Sequence, residues 1–188
     1  MKKLDLELVR LVVRYCDFER LLAEHPDLDR ERLGGFRKQV EATKGPRKAR
    51  VPRTTPAADR AILWTDGASL GNPGPAGVGA RIVAQDGTVL AEVAEAIGRA
   101  TNNVAEYRAL LRGLLEAAKL GLSSLEIRSD SELLVRQIQG IYRVRDPNLA
   151  RLHREATHVL AGFGSWRIQS IPREQNREAD ALSRRALG

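Results

Sequence analysis

The chain has 188 residues, 31 of them basic and 24 acidic, for a formal charge of +7. That length accommodates one domain of ordinary size with a small appendage and excludes two full enzymatic domains. The single cysteine, Cys16, excludes an internal disulfide and a cysteine-based zinc site, and no stretch approaches the length of a membrane span.

In chain order, Leu4, Leu8, Leu11, Tyr15, Phe18 and Leu22 recur at alternating spacings of four and three, which predicts a helix that Pro26 stops. A second, shorter helix is predicted after Asp27, with Leu33, Phe36 and Val40 on one face and Gly34 and Gly35 weakening it. Residues 1–42 are therefore expected to form a helical extension. Two short helices bury little alone, so this piece is expected to pack on the main domain, on a second copy or on another protein. Asp5, Glu7, Asp17 and Glu19 argue against a transit peptide. With the lone cysteine, they lead to the expectation of a soluble cytoplasmic protein.

The positive charge is unevenly distributed. Residues 1–42 carry nine basic and nine acidic side chains, residues 43–60 six and one, and residues 61–188 sixteen and fourteen. The middle stretch also holds Pro46, Pro52 and Pro56 but few large apolar residues, and it reads as an extended basic linker. A linker of this charge can contact phosphates without fixed geometry, or it can serve as a soluble tether.

Residues 61–188 form the main domain. Strands are predicted at 61–66, 78–84 and 88–97, with an Asp86-Gly87 turn between the last two. A helix follows at 104–120, with Tyr107, Leu111, Leu114, Leu115 and Ala118 at helical spacing and Gly121 at the C-terminal cap. Then come a strand at 125–129, helices at 131–139 and 148–162, a strand at 166–171 and a closing helix at 177–187. The order βββαβααβα implies an α/β fold. Its mixed five-stranded sheet would hold three antiparallel strands followed by helix-separated ones, with helices on its faces.

Asp66 and Asp130 end the first and fourth strands, and Glu106 and Asp180 lie near the starts of two helices. In sheets with helical crossovers, chemistry gathers at strand ends, so these four acids can converge at one edge. Two divalent ions with hard oxygen ligands would relieve their repulsion and suit phosphodiester hydrolysis. Each acid also has a plainer reading. Asp66 with Gly67 can be a turn pair, Glu106 can complete a capping box with Asn103, Asp130 can be an N-cap, and Asp180 can favour the positive end of a helix.

Four segments carry a resemblance: Thr65-Asp66-Gly67-Ala68-Ser69-Leu70-Gly71-Asn72-Pro73-Gly74-Pro75-Ala76-Gly77, Thr101-Asn102-Asn103-Val104-Ala105-Glu106, Ser129-Asp130-Ser131 and Asn176-Arg177-Glu178-Ala179-Asp180. In this order they resemble the type 1 ribonuclease H family, over essentially all of residues 61–188. The resemblance implies the ribonuclease H-like fold and an endonuclease that hydrolyses the RNA strand of RNA–DNA hybrids with two Mg2+ ions, for which Mn2+ substitutes. It implies that Asp66 bridges both ions, that Asp180 completes the site of the attacking water, and that Glu106 and Asp130 hold the ion on the leaving-group side. By the same resemblance Gly67, Asn72, Thr101, Asn102, Asn103 and Ser131 line the hybrid. The Gly-rich run after Asp66 is read as a loop that lets a bulky partner approach the backbone.

The chain departs from many family members in two places. The loop at 171–176 has no histidine; Arg173 and Glu174 occupy it, as in the shorter, archaeal-like branch, and Arg173 is a candidate for steadying the scissile phosphate. The short connection at 142–147 leaves no room for a basic protrusion, although Arg143 and Arg145 remain there. The alternatives are a nuclease of this fold acting on double-stranded RNA or on DNA in recombination, and a hybrid-binding protein without chemistry.

Overall fold

A computed structural model of the protein describes residues 60–188. The helices expected in 1–42, and the linker expected in 43–60 apart from Arg60, lie outside the described residues. Arg60 itself opens the first strand, where it pairs with Ser124.

Five strands form one sheet: β1 (Arg60–Ser69), β2 (Gly74–Ala84), β3 (Val89–Ala100), β4 (Ser124–Ser129) and β5 (Ser165–Ser170). Their spatial order is β3-β2-β1-β4-β5. The pairs β1–β2 and β2–β3 are antiparallel, whereas β4 runs parallel to β1 and β5 parallel to β4. The helices are α1 (Asn102–Lys119), α2 (Glu132–Ile138), α3 (Pro147–Leu160) and α4 (Arg177–Arg185), and a short 3-10 turn, Arg173–Gln175, precedes α4. The mixed sheet and the element order agree with the sequence expectation.

Period-two alternation divides the sheet into two faces. Leu63 of β1 and Ala80 of β2 meet α1 at Gly113, and α1 packs in turn against α3. Leu110 and Leu114 of α1, Ile127 of β4 and Leu160 of α3 are fully buried, and each contributes about 1.5–3 kcal/mol by leaving water. Gly77 and Gly79, on the opposite face of β2, meet α4. The helices therefore cover opposite faces, and between them the carboxyl end of β4 lies beside Thr65 of β1.

Three strands are longer than their apolar patterns suggest. β3 continues past Ile97 because one extra residue there, followed by Gly98 at φ 73°, makes a bulge that breaks the alternation without ending the pairing. β1 and β2 run on through 67–69 and 74–77, so most of the expected Gly-rich loop is paired strand, and only 70–73 forms the turn.

Candidate metal centre

Asp66 lies within β1, opposite Gly79 of β2, so it is not part of a turn. Its neighbour Thr65 pairs with Ser129 of β4, and Asp130 follows directly at the end of that parallel pair. Glu106 arrives from α1. A Cβ on Gly67 would stand 2.2 Å from both the Ala105 carbonyl carbon and the Glu106 nitrogen, so the absence of a side chain at 67 lets the first turn of α1 lie against β1. The expectation for Gly67 changes accordingly: the backbone it admits is the protein's own. The N-cap of α1 is Thr101, whose Oγ1 accepts from Val104 N–H at 3.3 Å. Glu106 therefore stands beyond the capping-box position. Ser131, not Asp130, caps α2.

The result is a cluster in which oxygens of Asp66, Glu106 and Asp130 lie within 4.8 Å of one another. Asp66 and Glu106 are only 4% and 5% exposed, and Asp130 is half-buried. Burial, reinforced by the charges of Asp130 and Asp180 and opposed by a hydrogen bond from Ser183, pushes the Asp66 carboxyl up to about 6. Burial first, then the charges of Asp66 and Asp130, raises Glu106 well above the ordinary glutamate range. Glu106 Oε2 is buried with no hydrogen-bond partner. Among the described residues none of the three acids forms a direct ion pair, and Arg173, held on Asp180, offsets only part of their repulsion. Hard, closely spaced anionic oxygens with one unsatisfied buried atom are the donor set a divalent cation takes.

Asp180, in the first turn of α4, is placed differently. Arg173 Nη2 donates to its Oδ1 and Arg184 Nε to its Oδ2, each at 2.8 Å, and its side chain is 21% exposed. It stands near enough for its charge to act on Asp66, but its oxygens are not in the cluster of three. Arg173, a candidate from sequence, is thus a partner of a candidate ligand.

The neutral candidates gather at the start of α1. Asn102 and Asn103 are exposed and Thr101 half-exposed, and Asn72 of the β1–β2 turn accepts from Asn102 N–H through Oδ1 at 3.1 Å. That bond ties the turn to the helix and leaves the Asn72 amide NH2 available. Ser131 lies beside Asp130, half-exposed, with Oγ accepting from Leu134 N–H at 3.4 Å.

Two residues with roles here were not singled out by sequence reasoning. Asn176, fully buried, donates through Nδ2 to Asp130 Oδ1 at 2.7 Å and to the Thr65 carbonyl at 3.0 Å, joining α4, β4 and β1. Ser183, also fully buried, donates through Oγ to Asp66 Oδ2. Asn176 opens the motif Asn176-Arg177-Glu178-Ala179-Asp180. Ser183 carried no signal beyond its place, one turn after Asp180.

A family profile described as "Reverse transcriptase-like" matches residues 64–186. A ribonuclease HI of Halobacterium salinarum is 47% identical over 128 residues, which are 68% of this chain and 64% of that protein's length. The chain thus spans under two thirds of this curated relative. The crystal structure of ribonuclease H1 from the same archaeon superposes with a TM-score of 0.67 at 47% identity, covering 68% of this chain and 97% of that one. LC11-RNase H1, solved in complex with an RNA/DNA hybrid, gives a TM-score of 0.65 at 41% identity, covering 68% and 96%.

Proposed function

The chain belongs to the ribonuclease H family, and from that premise we propose that it hydrolyses the RNA strand of RNA–DNA hybrids with two divalent ions, Mg2+ by preference and Mn2+ as a substitute. The observation that carries this reading is the buried cluster of Asp66, Glu106 and Asp130, whose oxygens converge within 4.8 Å of one another.

In the proposed reaction a water oxygen attacks the scissile phosphorus and the bond to the 3′-oxygen breaks. The products are a 5′-phosphate and, once the leaving oxygen takes a proton, a 3′-hydroxyl. Bound divalent ions supply alignment of the water and neutralisation of the charge that develops on the leaving oxygen. The chain's part is to hold those ions through Asp66, Glu106 and Asp130. Asp180 joins by exchanging an arginine contact. Arg173, released from Asp180, is a cation available for the scissile phosphate. Thr101, Asn102, Asn103 and Asn72 offer neutral donors and acceptors suited to RNA 2′-hydroxyls, and Gly67 and Ser131 line the same edge. Retention of all four acids favours an enzyme over a hybrid-binding protein without chemistry. The relative solved with a hybrid supports this substrate over double-stranded RNA.

A cytoplasmic location is part of the same proposal, supported by the lone cysteine. No helix among the described residues is long and apolar enough to cross a membrane.

The test incubates the full chain with a labelled hybrid, duplex RNA, duplex DNA and single-stranded RNA, with Mg2+, with Mn2+ and with a chelator. Cleavage confined to the hybrid's RNA, dependent on metal and leaving 5′-phosphate ends, is expected. Absence of hybrid cleavage under every metal would remove the proposal, and equal cleavage of duplex RNA would change the substrate.

A further inference from the structure

The chemistry at Asp66 depends on which way its carboxylate faces, and within the described residues a single side-chain donor, Ser183, addresses it. That contact requires an unusually close approach. Asp66 of β1 pairs with Gly79 of β2, and a Cβ at Gly79 would stand 2.2 Å from the Ala179 carbonyl oxygen and 2.6 Å from the Ser183 nitrogen. A Cβ at Gly77 would stand 2.4 Å from the Ser183 carbonyl oxygen. Any larger residue at either place would push α4 off the sheet. The two glycines let the helix backbone rest on β2, which seats Ser183 against the neighbouring strand at Asp66.

A serine on a helix can satisfy its hydroxyl locally, and the Asp180 carbonyl lies 2.9 Å from Ser183 Oγ for that purpose. One hydroxyl has one proton to give, and an ionised carboxylate is the stronger acceptor. With Asp66 ionised, the proton goes to Oδ2, which fixes the carboxylate plane and leaves Oδ1 for a cation. Asp66 is 4% exposed and Ser183 is fully buried, so water cannot substitute as donor without repacking.

We propose that Ser183 is a positioning residue for the metal centre: its hydroxyl orients the Asp66 carboxylate for cation binding, delivered there by the seating of α4 on Gly77 and Gly79. This rests on the reading of Asp66, Glu106 and Asp130 as metal ligands. Loss of a hydrogen bond that orients a ligand typically weakens metal binding about 10–100-fold. The partner here is neutral, which places the expectation at the lower end, about tenfold. Ser183 is buried behind Asp66, so the Michaelis constant for the hybrid at saturating metal should stay put.

The test is calorimetric titration of Mn2+ into the metal-free full chain and into the Ser183→Ala, Ser183→Cys and Asp66→Asn variants, with thermal melting of each metal-free form. Cysteine keeps the shape but is a weak donor. The expected result is Mn2+ binding by the parent, its loss in Asp66→Asn, and weakening by about tenfold in Ser183→Ala and by a similar or smaller factor in Ser183→Cys, with no change in hybrid Michaelis constant. Parent-like Mn2+ affinity in both serine variants overturns the positioning role while leaving the metal centre intact, and a lower melting temperature with unchanged affinity does the same by reducing Ser183 to packing. No Mn2+ binding by the parent overturns the metal reading itself.

Discussion

The two helices that flank the sheet treat their acids in opposite ways. α1 presses Glu106 into the interior, where burial and two neighbouring carboxylates act on it and one of its oxygens has no partner. α4 holds Asp180 half-buried and clasped by Arg173 and Arg184. The first arrangement disfavours the charged form, because burial and like charges both oppose ionisation and the Gly67 backbone and Arg173 offset them only in part. The second is ordinary surface chemistry. The difference separates a side with no direct ion pair from a side already paired with the chain's own arginines.

The largest expected effect comes from the acid both sides share. Asp66→Asn keeps the shape of the side chain but removes charge from the centre of the cluster. Turnover on a hybrid should fall by roughly a thousandfold or more, because groups that act as one unit fail together. Substantial remaining turnover would show that the unpaired cluster is not where hydrolysis occurs.

The same substitution sharpens the comparison through stability. In the metal-free fold Asp66 ionises near 6, against an ordinary value of 3.8, so the folded form binds its proton more tightly than the unfolded chain. That carboxyl favours the fold fully below about pH 4, and the contribution disappears as pH rises through 6. Above that pH, in the absence of metal, the parent should be less stable than Asp66→Asn by an amount of the order of 2–3 kcal/mol. Denaturant midpoints of the pair should converge toward pH 4 and separate toward pH 7, and millimolar Mg2+ should abolish the advantage of the variant. A difference independent of pH would mean that burial does not oppose the charge.

Much of this contrast was legible in the sequence, and part of it was not. The four acids are proposed as ligands on the motifs that resemble the ribonuclease H family, since taken one at a time each also reads as a turn, a cap or a helix-start acid. The strand and helix order followed from periodicity. The glycines at 67 and 77 were expected in a loop open to a partner, whereas they meet the protein's own helices, because both kinds of gap leave the same residue in the sequence. Ser183 and Asn176 act across 117 and 46 positions respectively, through the docking of α4, and nothing local marks such a contact. The arginine clasp on Asp180 was hidden in the same way: Arg184 at i+4 is a common helix spacing, and Arg173 reaches back from the preceding turn.

The smallest expected effects concern that clasp. Arg184→Ala removes an exposed ion pair, so stability should change by less than about 1 kcal/mol. Mn2+ affinity should match or modestly exceed the parent, since Asp180 loses a competing partner. Arg173→Ala should lower turnover more than hybrid affinity, as expected of a cation that acts on developing phosphate charge. A fall in Mn2+ affinity with Arg184→Ala would mean that the clasp assembles the site, and unchanged turnover with Arg173→Ala would reduce Arg173 to a surface residue.

The proposed chemistry stands or falls on whether the buried cluster of Asp66, Glu106 and Asp130 holds divalent ions. It is tested most directly by locating the anomalous scattering of Mn2+ in crystals of the protein grown with that ion. The account predicts density within coordination distance of all three carboxylates, with Asp180 turned toward it and away from at least one arginine. Manganese bound elsewhere, with these three acids still facing one another and no ion between them, would contradict it.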